Sequence, residues 1–385
     1  MIPIAPQHPH RRICRRLAIL LTASLAITQL AITQIAAAQT PATVGNNTSQ
    51  RWPTQHLLPD QPTAAESRQS SRVSRTVTLM TTPVEFVIQL ALESAPELIE
   101  QTATANQAID EAIGEIQRIE QVMSEWQPHS EVSQINSAAG TGPVAISEEL
   151  YRLLQMALQV SELSGGRFDI TFRSAGKLWD FRHQIIPTQA QIEAAITAID
   201  YHKVRLQQST TSPTGYLAEI TSANTSMGLG AIAKGYAIDR AVQVIRRAGF
   251  QQFVVNAGGD LYASSVPGQP LWQVGIQHPR QREQLIARLP VANMAVATSG
   301  DYERYFIHNG QRYSHLINPA TGYPANGCQS VTIMASRGFW ADALATAVFV
   351  MGPQEGMALV EQLDDVEAMV IDAAGIEHLS SGFTL

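Results

Sequence analysis

Cysteine is almost absent from this chain: Cys14 and Cys328 are the only two among 385 residues. Cys14 precedes an apolar N-terminal run, so a chain trimmed of that run keeps a single thiol and can form no internal disulfide. Cys328 sits in a Gly-Cys-Gln-Ser turn before an apolar stretch, where a structural role outweighs that of a nucleophile. Charge is also sparse, at 15% of residues, and basic clusters are lacking beyond the N-terminus. Arg11, Arg12, Arg15 and Arg16 are the only charges in residues 1–38, and without them the net charge of −7 becomes −11. An acidic chain of this kind is not built to hold nucleic acid. No G-K-[ST] tripeptide occurs, which excludes a Walker A phosphate loop.

What is present is a large apolar share, 45%, enough for a substantial core. Residues 1–38 read as an export signal or anchor. Four arginines precede the apolar run Leu17–Ala38, which ends in Ala36-Ala37-Ala38 before Gln39. The run is near a membrane-spanning length but is diluted by Thr22, Ser24, Thr28, Gln29, Thr33 and Gln34, which favours cleavage. The expected location is therefore periplasmic, or on the outer side of the inner membrane if the segment stays as an anchor. Residues 39–75, rich in Pro, Ser, Thr, Gln and Asn, read as a disordered linker. Residues 76–385 read as one folded domain.

Within that domain, Val77 to Ile88 predicts strand, turn, strand. Ile109, Ala112, Ile113, Ile116, Ile119, Met123 and Trp126 recur at three- and four-residue steps, predicting an amphipathic helix over Glu97–Trp126. A second helix is expected over Ser147–Ser164, stopped by Gly165-Gly166. A short third follows Thr188, whose spacing to Gln191 suits a capping box. Strands are expected at Val204–Leu206, Leu217–Thr221, Phe253–Asn256, Leu271–Gln277, Met294–Thr298, Val331–Ala335 and Ala368–Ile371. Helices are expected at Ala231–Ala248 and Phe339–Met351. Strands and helices do not alternate strictly, which favours α+β over a doubly wound sheet.

The chemistry gathers in a few segments. Met227-Gly-Leu-Gly-Ala-Ile-Ala-Lys-Gly-Tyr236 is a glycine-rich turn opening a helix, where backbone N–H groups, the helix dipole and Lys234 would favour a phosphate. Gly228-Leu-Gly230-Ala-Ile-Ala233 fits a loose dinucleotide pattern, but the preceding residues are too polar for a strand and no ribose-binding acid follows. Asp342 and Thr346 are four apart on an apolar helix and share a face, offering a carboxylate and a hydroxyl to a hard cation such as Mg²⁺. Taken alone, that pair is better read as an early-helix charge and a back-bonded threonine. His315, at a strand end before a Pro/Gly turn, is a candidate general base. Asp169 lies just past a helix stop. Asn256-Ala-Gly-Gly-Asp260 and Thr298-Ser-Gly-Asp301 are small-residue turns that let backbone approach a ligand.

In this order the segments resemble the ApbE family of FAD:protein FMN transferases. The likeness rests on Met80-Thr-Thr-Pro-Val-Glu, Phe168-Asp-Ile-Thr, Leu229-Gly-Ala-Ile-Ala-Lys-Gly-Tyr, Asn256-Ala-Gly-Gly-Asp, Thr298-Ser-Gly, His315-Leu-Ile-Asn-Pro-Ala-Thr-Gly and Ala341-Asp-Ala-Leu-Ala-Thr. It runs from about Val77 to the C-terminus. The resemblance implies a single ApbE-like, T-fold-related α+β domain of mixed sheets with packed helices. It implies an exported enzyme that passes FMN from FAD to a Ser or Thr hydroxyl of a target flavoprotein, with AMP leaving. Mg²⁺ would then be held by Asp342, Thr346 and the Ala231 carbonyl. Flavin contacts would fall on Met80, Arg167, Phe168, Asp169, Gly228 and Lys234, with His315, Asp342 and Lys234 in the catalytic set. Mg²⁺-dependent hydrolysis of FAD to FMN and AMP, or FAD binding without catalysis, are the alternatives. The chain departs from the family pattern at three points. Thr81 stands where glycine is usual, Gly228 where an acid is usual, and Asn318 where Asp is usual.

Overall fold

The structure, a computed structural model, describes residues 71–91 and 94–384, all within one compact unit. The export segment and residues 39–70 of the linker lie outside the described residues. The chain opens with a hairpin of β1 (Arg72–Leu79) and β2 (Thr82–Gln89). It continues through α1 (Ala95–Met123), α2 (Glu131–Ser137), β3 (Val144–Ala145) and α3 (Glu148–Leu163). Next come α4 (Arg173–Gly176), α5 (Gln189–Ile196), β4 (Val204–Gln208) and β5 (Tyr216–Ile220). The second half runs α6 (Ala233–Arg247), β6 (Phe253–Ala257), β7 (Asp260–Ser264), β8 (Trp272–Gln277), β9 (Leu285–Val291) and β10 (Met294–Gly300). It ends with β11 (Tyr305–His308), β12 (Gln311–Ser314), β13 (Cys328–Ala335), α7 (Gly338–Met351), α8 (Pro353–Val360), β14 (Val366–Asp372) and β15 (Glu377–Leu379).

An antiparallel sheet in the order β1-β2-β6-β7-β10-β13-β14-β15 forms the centre. Alternate side chains enter two cores, as the strand period of two requires. Phe86, Ile88, Phe253, Val255, Ala295, Ile333 and Val370 pack with α1, α6 and α7 on one face. Val87, Val254, Leu261, Val296 and Ile371 pack with the β8–β9 hairpin on the other. Because both faces are covered, β6 and β7 are buried at every position and lack polar alternation. The architecture is α+β, as the mixed order of elements suggested.

Local signals account for the helix starts. Ser147 accepts from Leu150 N–H at 3.2 Å, and Thr188 and Gln191 form the expected capping box, with Thr188 N–H donating to Gln191 at 2.8 Å. Gly166 N–H closes α3 on the Ser161 carbonyl at 2.8 Å. Among the described residues no helix is long and apolar enough to cross a membrane.

Most boundaries shift by a residue or two from the sequence reading, and two differences matter for the fold. β1 starts at Arg72, inside the segment read as linker, because pairing Arg72 with Gln89 and Val73 with Ile88 satisfies backbone that composition alone leaves open. Trp126 does not belong to the core face of α1. The helix ends at Met123, Ser124 turns extended, and Trp126 stands 75% exposed.

The β1–β2 turn carries Met80 and Thr81 at φ of 48° and 62°. This left-handed region suits glycine and penalises a β-branched residue by about 1 kcal/mol or more. Thr81→Gly should therefore raise stability in urea unfolding at unchanged m-value, by about 1 kcal/mol of relieved strain less the unfolded-chain entropy that glycine adds. A lower midpoint would show that Thr81 is held by contacts rather than strained.

Candidate active site

The site is built on the crossing of α6 and α7. Gly235 on α6 and Gly338 at the start of α7 meet so closely that a Cβ on Gly235 would lie 2.1 Å from the Gly338 carbonyl oxygen. Asp239, one turn along α6, caps α7 from outside, accepting from Gly338 N–H at 2.6 Å and Phe339 N–H at 3.1 Å. One turn into α7, Asp342 Oδ2 accepts the Gly235 N–H at 2.9 Å. Helical spacing would send that N–H to the Ala231 carbonyl, and no such backbone bond is made. The Asp342 carboxylate thus frees the Ala231 carbonyl for another partner.

Thr346 lies one turn beyond Asp342 and is the only residue of 341–350 that is not buried. Its hydroxyl is 3.3 Å from the Ser299 hydroxyl on β10. Lys234 forms an ion pair with Asp260 at the start of β7, and Asp260 Oδ1 also accepts from Thr298 N–H at 3.2 Å. The β6–β7 turn therefore brings the Asp260 carboxylate to Lys234 at the foot of α6, and the end of β10, a strand where a turn was expected, brings the Ser299 hydroxyl to Thr346 on α7.

Negative charge exceeds positive here. Burial, reinforced by the Asp260 carboxylate and opposed by Lys234, pushes Asp342 up to about 7. Burial pushes Glu303 up to about 8, with Lys234 opposing. Asp260, Asp342 and Glu303 thus gather around the single Lys234 ammonium. A buried carboxylate against two others is a place that gains from a cation, and Asp342, the Thr346 hydroxyl and the Ala231 carbonyl are suitable hard oxygens. Burial pushes His315 down to about 4, helped by the Arg304 and Lys234 charges, so its ring is neutral at ordinary pH. Its Nδ1 is buried without a hydrogen-bond partner.

The glycine turn does not work as the sequence suggested. Gly228 N–H donates to Ile170 at 2.8 Å, Leu229 N–H to Glu125 at 3.1 Å, and Ile232 and Ala233 N–H both return to Leu229. These amides, with Gly235, are taken by the protein, two of them by carboxylates, and cradle no phosphate. Lys234 is likewise committed to Asp260.

Of the other expected flavin contacts, Phe168 is buried in the main core. Both oxygens of Asp169 are engaged, Oδ1 by Thr171 N–H at 2.7 Å and Oδ2 by Tyr201 N–H at 2.9 Å. Arg167 is half-exposed and pairs with Glu355 at 3.1 Å. Met80 N–H donates to Glu120 at 3.3 Å. The structure thus joins Ala231, Lys234, Asp342 and Thr346 into one cluster, with His315 electrostatically linked to Lys234. It turns Phe168 and Asp169 inward. Asn318 Oδ1 accepts from Ala320 N–H at 2.9 Å, a turn-closing bond that Asp would make equally well.

Asp239, Gly235 and Glu303 were not singled out by the sequence. A cap given across 99 residues and a glycine kept for a helix crossing leave no local pattern.

The chain matches the ApbE family over residues 80–370. It is 35% identical to an FAD:protein FMN transferase of Treponema pallidum, over 70% of this chain and 78% of that one. It is 30% identical to one of Klebsiella pneumoniae, over 66% and 79%. In fold it is similar to the ApbE protein of Thermotoga maritima, with a TM-score of 0.70 at 29% identity, covering 81% of this chain and 97% of that one. The flavin transferase ApbE of Vibrio cholerae superposes with a TM-score of 0.69 at 25% identity, covering 82% and 98%.

Proposed function

The chain belongs to the ApbE family, and from that premise we propose how its residues share the work of moving FMN from FAD to a protein hydroxyl. It is an FAD:protein FMN transferase. The oxygen of a Ser or Thr hydroxyl on a target flavoprotein attacks the flavin-side phosphorus. A phosphoester bond forms, the pyrophosphate bond breaks, and AMP leaves with the bridging oxygen. The hydroxyl proton passes to His315, which is neutral and has a buried nitrogen without a partner. A base this weak contributes little by itself, so alignment and charge neutralisation carry most of the rate.

The site would take Mg²⁺, which would supply positive charge against the pyrophosphate. Asp342, the Thr346 hydroxyl and the Ala231 carbonyl would hold it. The observation that carries this reading is the Asp342–Gly235 hydrogen bond, which anchors the carboxylate and frees the Ala231 carbonyl together. Lys234 and Asp260 fix the floor of the site. Export is part of the same proposal. The arginines and apolar run of residues 1–38 support a periplasmic enzyme, or one held on the outer side of the inner membrane near its target.

The cation reading has a pH signature. Below about pH 7 Asp342 carries a proton that Mg²⁺ must displace, so affinity should rise with pH. Titration calorimetry in two buffers at pH 6 should show about one proton released per Mg²⁺, and affinity should fall about tenfold per pH unit below 7. Affinity independent of pH from 5.5 to 8 would remove Asp342 from the site. In the same preparation, FAD and Mg²⁺ with an acceptor flavoprotein should give labelled acceptor and AMP. Release of free FMN with AMP, and no labelled acceptor, would make the activity hydrolysis instead.

A further inference from the structure

Two exposed arginines beside His315 have no ion-pair partner. His315 N–H donates to the Arg304 carbonyl at 3.0 Å, which extends the β11–β12 ladder by one more paired rung. Residues opposed in such a ladder carry their side chains on the same face, about 5 Å apart. Arg304 therefore stands next to His315, and its charge is felt at the imidazole. The Arg304 guanidinium lies 5.6 Å over the Phe181 ring, and Phe181 meets Phe306 of β11 at 5.9 Å. Phe181 belongs to a tight turn closed by backbone pairing of Asp180 with Ile185, and exposed Arg182 follows it there. Burial first, then the Arg182 charge, lowers Arg304 from its ordinary value, so the two cations lie within electrostatic reach.

Neither guanidinium forms an ion pair or donates a hydrogen bond among the described residues. Asp180, the acid that opposes them, is spent inside its own turn. Its Oδ1 accepts from Arg182 N–H at 3.0 Å and His183 N–H at 2.9 Å, and its Oδ2 meets His183 Nδ1 at 2.7 Å. Arg280 and Arg312, by contrast, are both matched by Asp301, Arg280 through two bonds of 2.7 Å. Two unmatched cations repel each other and gain from an incoming anion. Ile185, 52% exposed, adds an apolar contact at the end of the same turn.

We propose that Arg182, Arg304 and Ile185 form the docking surface for the acceptor flavoprotein, receiving an acidic and apolar segment that flanks its target hydroxyl. The proposal rests on the transferase reading above. The acceptor must bring its hydroxyl to His315, and Arg304 stands one ladder spacing from that residue. A carboxylate within about three residues of the hydroxyl, about 10 Å of extended chain, would meet the arginines. Charge placed in this way steers and aligns the encounter, and it leaves FAD to the cluster of Lys234, Asp342 and Thr346.

The test measures transfer on the full chain, varying first the apo form of a candidate acceptor flavoprotein and then FAD. Arg182→Glu should raise the KM for acceptor about fivefold, and Arg182→Glu with Arg304→Glu at least about twentyfold, with the KM for FAD within about twofold. Arg182 has no side-chain bond to lose, so the single variant reports even where the double one folds poorly. An acceptor whose acids near the target hydroxyl are changed to lysine should be poor for wild type and at least about fivefold better for the double variant. Arg247→Glu, at the opposite end of α6 from Lys234, should alter neither constant. An unchanged KM for acceptor in Arg182→Glu, a rise confined to FAD, or no rescue by the lysine acceptor overturns the proposal. Acceptor binding without FAD, weakened about fivefold by Arg182→Glu, supports the surface even if no transfer occurs. Lack of transfer with that charge-dependent binding intact defeats only the transferase reading.

Discussion

Gly235→Ala should cost about 3 kcal/mol or more and take the activity with it. The added methyl would lie 2.1 Å from the Gly338 carbonyl oxygen, 2.5 Å from its carbon and 2.7 Å from Asp342 Cβ. Two of these atoms are backbone, so no side-chain rotation relieves the overlap and α6 must move off α7. That movement breaks the Asp342–Gly235 bond and pulls Asp239 away from the start of α7. Gly114→Ala is the matched control, because a methyl at that exposed position in α1 meets nothing within 4 Å. It should gain about 0.5–1 kcal/mol from helix propensity. Thermal or urea unfolding of the pair reads the contrast. A Gly235→Ala protein as stable and active as the parent would mean that the helix crossing does not position the site.

Asp342→Asn should lower FMN transfer by about a thousandfold while leaving the protein folded. Asparagine keeps an oxygen for the Gly235 N–H and loses only the charge. The stability consequence has a definite sign. Burial raises the folded pKa of Asp342 to about 7 from its ordinary value of 3.8, so the ionised group disfavours folding above pH 4, fully so above pH 7. In the absence of Mg²⁺ the Asn protein should therefore melt above the parent at pH 8 and level with it near pH 4. Added Mg²⁺ should raise the parent and leave the variant unchanged. An Asn variant with parental transfer rates, or one that melts lower at pH 8, would contradict the assignment of Asp342 to a cation.

Much of the scaffold was legible because its signals are local. Ser147, Thr188 with Gln191, and Gly166 mark helix ends by hydrogen bonds that span five residues or fewer. The apolar spacing of α1 was readable too, yet it carried one residue class too far. Trp126 continues the three- and four-residue steps after the chain has left the helix, and only the extended Ser124 reveals the break. β9 escaped notice because Arg288 and Pro290 face outward between buried Ala287, Leu289 and Val291. The same limit governs the site. Asp342 and Thr346 share a face by helix period alone, and His315 stands out as a histidine at a strand end. The pairing of Lys234 with Asp260, the cap from Asp239 and the arrival of Glu125 beside Gly228 join residues 26 to 104 apart in sequence. No local pattern encodes such meetings. The glycine-rich turn shows the consequence. Its amides looked like a phosphate cradle, whereas Glu125 and Asp342 occupy two of them.

The most direct measurement follows the flavin itself. The protein is mixed with FAD, Mg²⁺ and a candidate acceptor flavoprotein, and the denatured acceptor is examined for in-gel flavin fluorescence while AMP is quantified. Fluorescent acceptor with one AMP per flavin attached, lost on chelating Mg²⁺ or on Asp342→Asn, is the predicted result. Labelling that persists through both would contradict the cation site, and FAD left intact with no labelled acceptor would contradict the transferase.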